Sequence, residues 1–200
     1  MPSTPRPTRT KAQQREETTQ ALVAEARQLF AEKGYAHVSL AEIVEATGVT
    51  KGALYHHFSG KDDLFRAVLR QVHDEVAEHI ADAAPDADTW TQLVAGCRAF
   101  LTASTEPRIQ QIMLVDAPSV LGWGAWRELD AATSMQQLEV ALTQLVDEGI
   151  ITDHPVAPLA HLLSGAMNEA ALWLARTGNR ERDLEDTMAV LTRLLESLRS

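Results

Sequence analysis

A single cysteine, Cys97, stands among the 200 residues. It leaves no partner for a disulfide within the chain and fits a reducing cytosol. Apolar residues make up 45% of the sequence, enough for a substantial core, yet no apolar run approaches the roughly 18 residues of a membrane span. The N-terminus, MPSTPRPTRTKAQQR, is basic but has no apolar stretch behind it, so it does not read as a secretory signal. There is no glycine-rich phosphate loop and no nucleophile elbow. Strand patterning and internal repeats are missing as well. A soluble, cytoplasmic, all-α chain without membrane association is the expectation.

Catalysis finds little support. Cys97 falls on an apolar helical face, where a lone thiol is usually inert packing. Glu75 and His79 have i,i+4 spacing and can share a metal, but no third ligand is apparent, so a solvated face fits them better. The pair His56-His57 lacks the spacing of a helical zinc motif. We expect neither metal nor cofactor, and no enzyme.

The net charge of −10 argues at first sight against a polyanionic partner, but it is unevenly spread. Residues 1–60 hold seven Lys/Arg against six Asp/Glu, whereas residues 61–200 hold eleven against twenty-two. Arg6, Arg9, Lys11 and Arg15 all precede the first acid. Such a distribution lets the N-terminal part dock on phosphates while an acidic body weakens indiscriminate binding.

About nine helices are legible. Leu22, Ala26, Leu29 and Phe30 form a stripe that ends near Gly34, a usual helix stop. Two short helices follow, and then a longer one opened by Lys61 with Leu64, Phe65, Val68, Leu69, Val72 and Val76 on one side. It runs out in ADAAPDAD. Trp90, Leu93, Val94, Cys97 and Leu101 begin the next helix. Pro107 and Pro118 bracket a short one holding Ile112, Met113 and Leu114. A long helix is expected from about Leu121 to Glu148, stopping at Gly149. Pro155 and Pro158 fit only the first turn of another, ending at Thr177-Gly178. The last starts near Asn179 and carries Leu184, Met188, Leu191, Leu194, Leu195 and Leu198.

Residues 39–61, SLAEIVEATGVTKGALYHHFSGK, carry the functional signal. They read as a short helix, a tight turn at Gly48 and a second short helix. Ser39 with Glu42 makes a capping box, and Val38 can staple against Ile43. Thr50 caps the second helix, with Val49 and Leu54 repeating the staple. Leu40, Ile43 and Val44 are expected to bury one face, and Leu54 and Phe58 to secure the other helix. Lys51, Gly52, Tyr55, His56 and His57 remain outward, and no acid occurs between Glu45 and Asp62. This is the chemistry of a helix that reads DNA.

The run from ALVAEARQLFAEKGYAHVSL through GVTKGALYHHFSGKDDLF resembles the DNA-binding domain of the tetracycline-repressor (TetR/AcrR) family over roughly the first third of the chain. The resemblance implies a basic flexible arm (1–15), a helix-turn-helix DNA-binding domain of three helices (16–60), a linking helix (61–84) and a helical effector-binding and dimerisation domain (85–200). It implies a homodimeric regulator on a palindromic double-stranded operator, usually a repressor, released by a small molecule. Lys51 is assigned to guanine or phosphate, Gly52 to close backbone approach, Tyr55 to phosphate, His56 to a base, and His57 and Lys61 to backbone clamping. Ser39 and Thr50 can add phosphate contacts or serve only as caps. The arm either enters a minor groove or is a solubilising tail.

Residues 156–175 are apolar almost all round, with Gly165, Ala166, Ala170 and Ala171 allowing close helix approach. With the final helix they either build a four-helix bundle across a two-fold axis or complete the monomer core. The candidate effector residues are Phe100, Met113, Trp123, Trp126, Met135, Met167 and Trp173 as apolar walls, with His161, Ser164 and Asn168 as a polar stripe. A lipophilic effector is expected. The alternative for each is ordinary core, and for the polar stripe hydrogen bonding at the dimer interface. A protein-interaction module without DNA binding is the other alternative function.

Overall fold

The computed structural model describes residues 10–152 and 155–199. Arg6 and Arg9 of the expected arm lie outside the described residues. Helix α1 (Lys11–Lys33) starts five residues before the expected domain boundary. Thr10 and Gln13 make a reciprocal capping box, with Gln13 N–H donating to Thr10 Oγ1 (3.2 Å) and Thr10 N–H to Gln13 Oε1 (2.9 Å). Residues 11–15, expected as arm, are therefore helical, because the cap satisfies the free amides of the first turn. The helix stops at Gly34, whose φ of 76° is open to a residue without Cβ.

A single 3-10 turn, Tyr35–His37, leads to α2 (Leu40–Thr47), and Gly48 in the left-handed region leads to α3 (Lys51–His57). Ser39 and Thr50 cap as the sequence suggests, each accepting a backbone N–H at 3.2 Å. The Glu42 carboxylate pairs with Lys33, because α1 brings an ammonium within reach, and the Ser39 amide also favours its charged form. Ile43, Leu54 and Phe58 are buried, while Leu40 and Val44 are only half-buried. Phe30, Phe65 and Tyr35 stack mutually at 5.0–5.5 Å between centroids. The edge-on arrangement of Phe65 against both other rings favours this cluster beyond its buried area.

Helix α4 (Lys61–Ala81) buries all six residues of its expected apolar side. The chain divides into two compact units within it, one ending at Val68 and the other beginning at Leu69. The second unit holds α5 (Thr89–Ser104), α6 (107–121), α7 (Trp123–Ala131), α8 (Ser134–Asp147), α9 (Val156–Leu174) and α10 (Arg180–Glu196). Ten helices thus form among the described residues, where nine were expected. No strand forms there, only an isolated bridge between Ile151 and Arg199. Helix α8 packs against α9 and α5, and α10 against α9 and α5.

Two expectations need correction. Pro118 does not end a helix but lies inside α6, which runs through a wide π turn over Gln111–Asp116. The Ala117 amide reaches back to Ile112 there, and the widened turn accommodates a proline that has no N–H to give. The long helix expected from Leu121 to Glu148 is broken in two at Ala132–Thr133, where Thr133 leaves the helical region (φ −130°, ψ −104°). The break is tied to α4. Thr133 Oγ1 lies 3.3 Å from His73 Nδ1, and Gln137 Nε2 donates to the Ala77 carbonyl at 3.1 Å.

Burial pushes the His73 imidazole down to about 4, and its Nε2 has no partner. The native state therefore holds it neutral, while the unfolded chain protonates below about 6.5. The stability this confers is intact above pH 6.5 and falls as pH drops toward 4. Between pH 7 and pH 5 the wild type should lose about 2 kcal/mol more than His73→Gln in urea denaturation. Parallel losses would contradict the burial argument.

Candidate nucleic-acid interface and ligand cavity

Helix α3 is positioned by Leu54 and Phe58 on its inner side and by the Thr50 cap at its start. Its outer side carries Lys51, Gly52, Tyr55 and His56, all exposed, with Tyr55 50% exposed. The Lys51 ammonium stands 6.0 Å from the centroid of the Tyr55 ring. At Gly52 a Cβ would meet nothing within 4 Å and the backbone φ is not positive, so the fold itself imposes no need for glycine there. His57 is half-buried, with Nδ1 3.0 Å from Thr19 Oγ1 of α1. Burial, and then the nearby Arg15 charge, lower its pKa below the usual histidine value.

Three carboxylates near this surface are occupied. Glu42 pairs with Lys33, Asp62 accepts from the Tyr35 hydroxyl, and Asp63 accepts from the Ser59 amide (3.0 Å) and hydroxyl (3.2 Å). Burial, together with the Asp62 hydrogen bond, raises the Tyr35 phenol well above its ordinary pKa. Lys61, expected as a backbone clamp, is engaged within the protein. Its Nζ donates to the carbonyls of Tyr35 (2.7 Å) and Val38 (2.8 Å) and lies 3.9 Å from the Tyr35 ring centroid. An ammonium with two of three donors spent on backbone acts first as a strap between α4 and the α1–α2 connection.

The second unit holds a partly open cavity of about 530 Å³. Phe100, Met135, Ser164 and Met167, all named from sequence, line it. The remaining candidates do not. Met113 and Trp126 are core, the indole N–H of Trp126 donating to the Met113 carbonyl at 2.9 Å. Trp123 is 67% exposed and Trp173 51% exposed, on outward faces of α7 and α9. His161 is exposed beside Arg127. Asn168 is buried behind the wall, without a hydrogen-bond partner for its amide yet near enough to Asp130 to favour its charged form.

Sequence reasoning missed the polar lining residues Gln92, Asp130, Ser134 and Gln137. Asp130 is 3% exposed and pairs with Arg127 at 2.6 Å, and Ser164 lies 3.3 Å from the same oxygen. Burial raises the Asp130 pKa, while Arg127 opposes the shift. A usable signal was the i,i+3 Arg-Asp pair on a helix with two tryptophans. Among the described residues, no group of three His, Cys, Asp or Glu side chains is placed to hold a metal ion, and no helix is long and apolar enough to cross a membrane.

On α9 the outward stripe carries Leu162 (72% exposed), Gly165, Ala166, Glu169 and Trp173, and α10 exposes Val190 and Leu194. Large apolar side chains are thus exposed on both helices.

A three-helix module with a capped, cation-bearing third helix, together with a second helical unit that holds a cavity, is the architecture of a helix-turn-helix regulator. Comparison with known proteins identifies which. Residues 22–68 match the bacterial regulatory proteins of the tetR family, and residues 90–198 match the tetracyclin repressor-like C-terminal domain. The chain belongs to the TetR family of transcriptional regulators. A solved TetR-family regulator from Pectobacterium atrosepticum is 35% identical, with a TM-score of 0.80 over 96% of this chain and 98% of that one. The TetC protein of transposon Tn10 from Escherichia coli is 28% identical over 148 residues, 74% of this chain and 75% of its own length. The transcriptional repressor AcnR of Corynebacterium glutamicum is 38% identical over 63 residues, 32% of this chain and 34% of its own. Members of the family bind DNA operators, form dimers and bind small-molecule effectors.

Lys61→Met keeps the apolar stem over Tyr35 but removes the ammonium. With two charge-assisted hydrogen bonds lost, the DNA-free protein should lose about 2 kcal/mol, or roughly 4–8 °C in Tm by calorimetry. An unchanged melting curve would return Lys61 to the role of a pure phosphate clamp.

Proposed function

We propose that this chain is a repressor that binds a palindromic operator as a homodimer and leaves it when a small, largely apolar effector fills the cavity. The observation that carries the reading is the outward side of α3, where a lysine, a tyrosine and a histidine flank a glycine that the fold does not require. Lys51 reaches guanine acceptors or phosphate, Tyr55 gives its hydroxyl to phosphate, and His56 meets a base edge. Gly52 lets backbone and DNA close together. Ser39 and Thr50 accept their cap bonds through oxygen and keep a hydroxyl proton for phosphate. His57 acts through Nε2, which becomes a donor when a phosphate draws a proton onto the ring. Lys61 supports the module and adds its remaining N–H to the backbone. The net positive part of the chain contains all of these except Lys61, the first residue beyond it. We assign no catalysis to the protein.

One recognition helix covers only a few base pairs, so two are needed for a specific site. We assign the pairing of copies to the exposed faces of α9 and α10, on Leu162, Trp173, Val190 and Leu194. Effector binding then shifts the population toward an arrangement of α4 in which the paired recognition helices no longer match successive major grooves. A tenfold loss of operator affinity needs only about 1.4 kcal/mol of differential ligand binding.

The decisive experiment is selection of binding sequences from random DNA with the purified protein, which should recover a palindrome. On that site Gly52→Ala should weaken binding at least about tenfold, some 1.4 kcal/mol, while Tm is unchanged or raised, because alanine favours the helix. Full affinity with Gly52→Ala would remove the close-approach argument. In sedimentation velocity, Leu162→Glu should convert a dimer into a monomer with no measurable operator binding. A dimer that survives both Leu162→Glu and Leu194→Glu would place the pairing face elsewhere.

A further inference from the structure

The cavity wall has a one-sided polar chemistry. Among its lining residues there is one carboxylate, Asp130, and no lysine, arginine or histidine. Several side-chain donors beside it are turned to protein acceptors. Gln92 Nε2 donates to the Pro85 (3.2 Å) and Ala87 (2.8 Å) carbonyls, and Gln137 Nε2 to the Ala77 carbonyl (3.1 Å). Gln144 Nε2 donates to Glu148 at 3.0 Å, and the Thr89 hydroxyl to the same carboxylate at 2.9 Å. Because only an amide nitrogen can donate to a carbonyl, the Gln137 amide is oriented, and its Oε1 is left without a partner. Ser134 Oγ, in a side chain more than nine-tenths buried, is also unpartnered. Beside the Asp130 carboxylate, the unpartnered groups of these lining residues are thus the Gln137 Oε1, an acceptor, and the Ser134 hydroxyl, which can accept or donate.

Charge narrows the class further. An anionic ligand would meet a carboxylate and no free cation, since the Arg127 guanidinium is engaged by Asp130 (2.6 Å), Ser164 (3.2 Å) and Met135 (3.6 Å) and does not line the cavity. A cationic ligand would add a charge beside a pair that is already neutral overall, leaving a buried excess. A neutral donor has neither cost and satisfies groups that are otherwise orphaned. The rest of the wall, including Leu93, Phe100, Met135, Leu138 and Met167, is apolar, and the volume lies within the range of small-molecule sites.

We propose that the effector is a neutral, largely apolar molecule whose hydroxyl donates to the acceptors at Asp130, Ser134 and Gln137. This rests on the reading of the chain as a ligand-responsive regulator, and it excludes carboxylic acids and amines as the principal ligand class.

The test uses the purified full-length protein without DNA and a panel of phenyl, naphthyl and biphenyl skeletons. Each skeleton carries in turn a hydroxyl, a methyl ether, a carboxylate or an aminomethyl group, and binding is read by calorimetric titration. The hydroxyl member of at least one skeleton should bind tenfold or more tighter than its ether, with the carboxylate and aminomethyl members weaker still. Ser134→Ala should reduce hydroxyl binding several-fold and ether binding by clearly less, a split that a merely structural serine would not produce. Tightest binding by carboxylates or amines, equal binding of hydroxyl and ether, or no binding by any hydroxyl member would overturn the proposal. Operator release is measured separately. A hydroxyl ligand that binds but leaves DNA affinity untouched supports this ligand class and sinks the release mechanism.

Discussion

A helix of seven residues does not hold its own shape in water, and α3, the reading helix, is that short. Its geometry has to be imposed by what it packs against. The imposing element is the knot in which Phe65 meets Phe30 and Tyr35 edge to face and Lys61 Nζ binds the Tyr35 and Val38 carbonyls. That ammonium joins the first residue of α4 to the connection between α1 and α2, so the cap at Ser39, only one residue past Val38, is set by the same contact. Leu54 and Phe58 then seat α3 in the core of that unit. Capping at Thr50 finishes the work locally. Each outward side chain on α3 inherits its direction from this knot.

Legibility in the sequence follows the range of the interaction. Signals that act within one turn were readable, among them the caps at Ser39 and Thr50, the left-handed glycine at Gly48 and the stripe of α4, whose six residues are all buried. Signals whose partner is distant were not. Lys61 reads as a phosphate clamp because its acceptors lie 26 and 23 residues away. The pairing of Glu42 with Lys33 was not legible, because nothing local announces it. The break at Thr133 has no proline or glycine to mark it, and its ties run to His73 and Ala77, 60 residues back. On α3 the outward set was legible because a seven-residue helix with Leu54 buried, and Phe58 buried at its cap, leaves little choice of face.

The cavity was less legible for a different reason. Large apolar residue types do not distinguish a wall from a core, and the sequence places Met113 and Met135, or Trp126 and Phe100, on equal terms. Packing separates them: Met113 and Trp126 close on each other, whereas Phe100 and Met135 face space. The polar lining was overlooked because Ser134 and Gln137 look like ordinary helix-surface residues. Their position at the start of α8, just after the break, turns them inward.

A buried ion pair such as Arg127–Asp130 is weak grounds for stability, since an apolar pair of similar volume often does as well. Its position at the cavity gives it another consequence. Arg127 neutralises Asp130 from outside the wall, so the carboxylate faces the cavity as an acceptor whose charge is already compensated. Gln137 extends that argument toward DNA. Its nitrogen holds the Ala77 carbonyl of α4, while its oxygen has no partner. A donor brought to that oxygen acts on the same amide plane that secures the linking helix, and Thr133 ties His73 of that helix one turn earlier. Coupling between ligand and operator requires only that the two arrangements of this contact differ by the 1–3 kcal/mol typical of allosteric linkage, a range within reach of one buried hydrogen bond gained or lost.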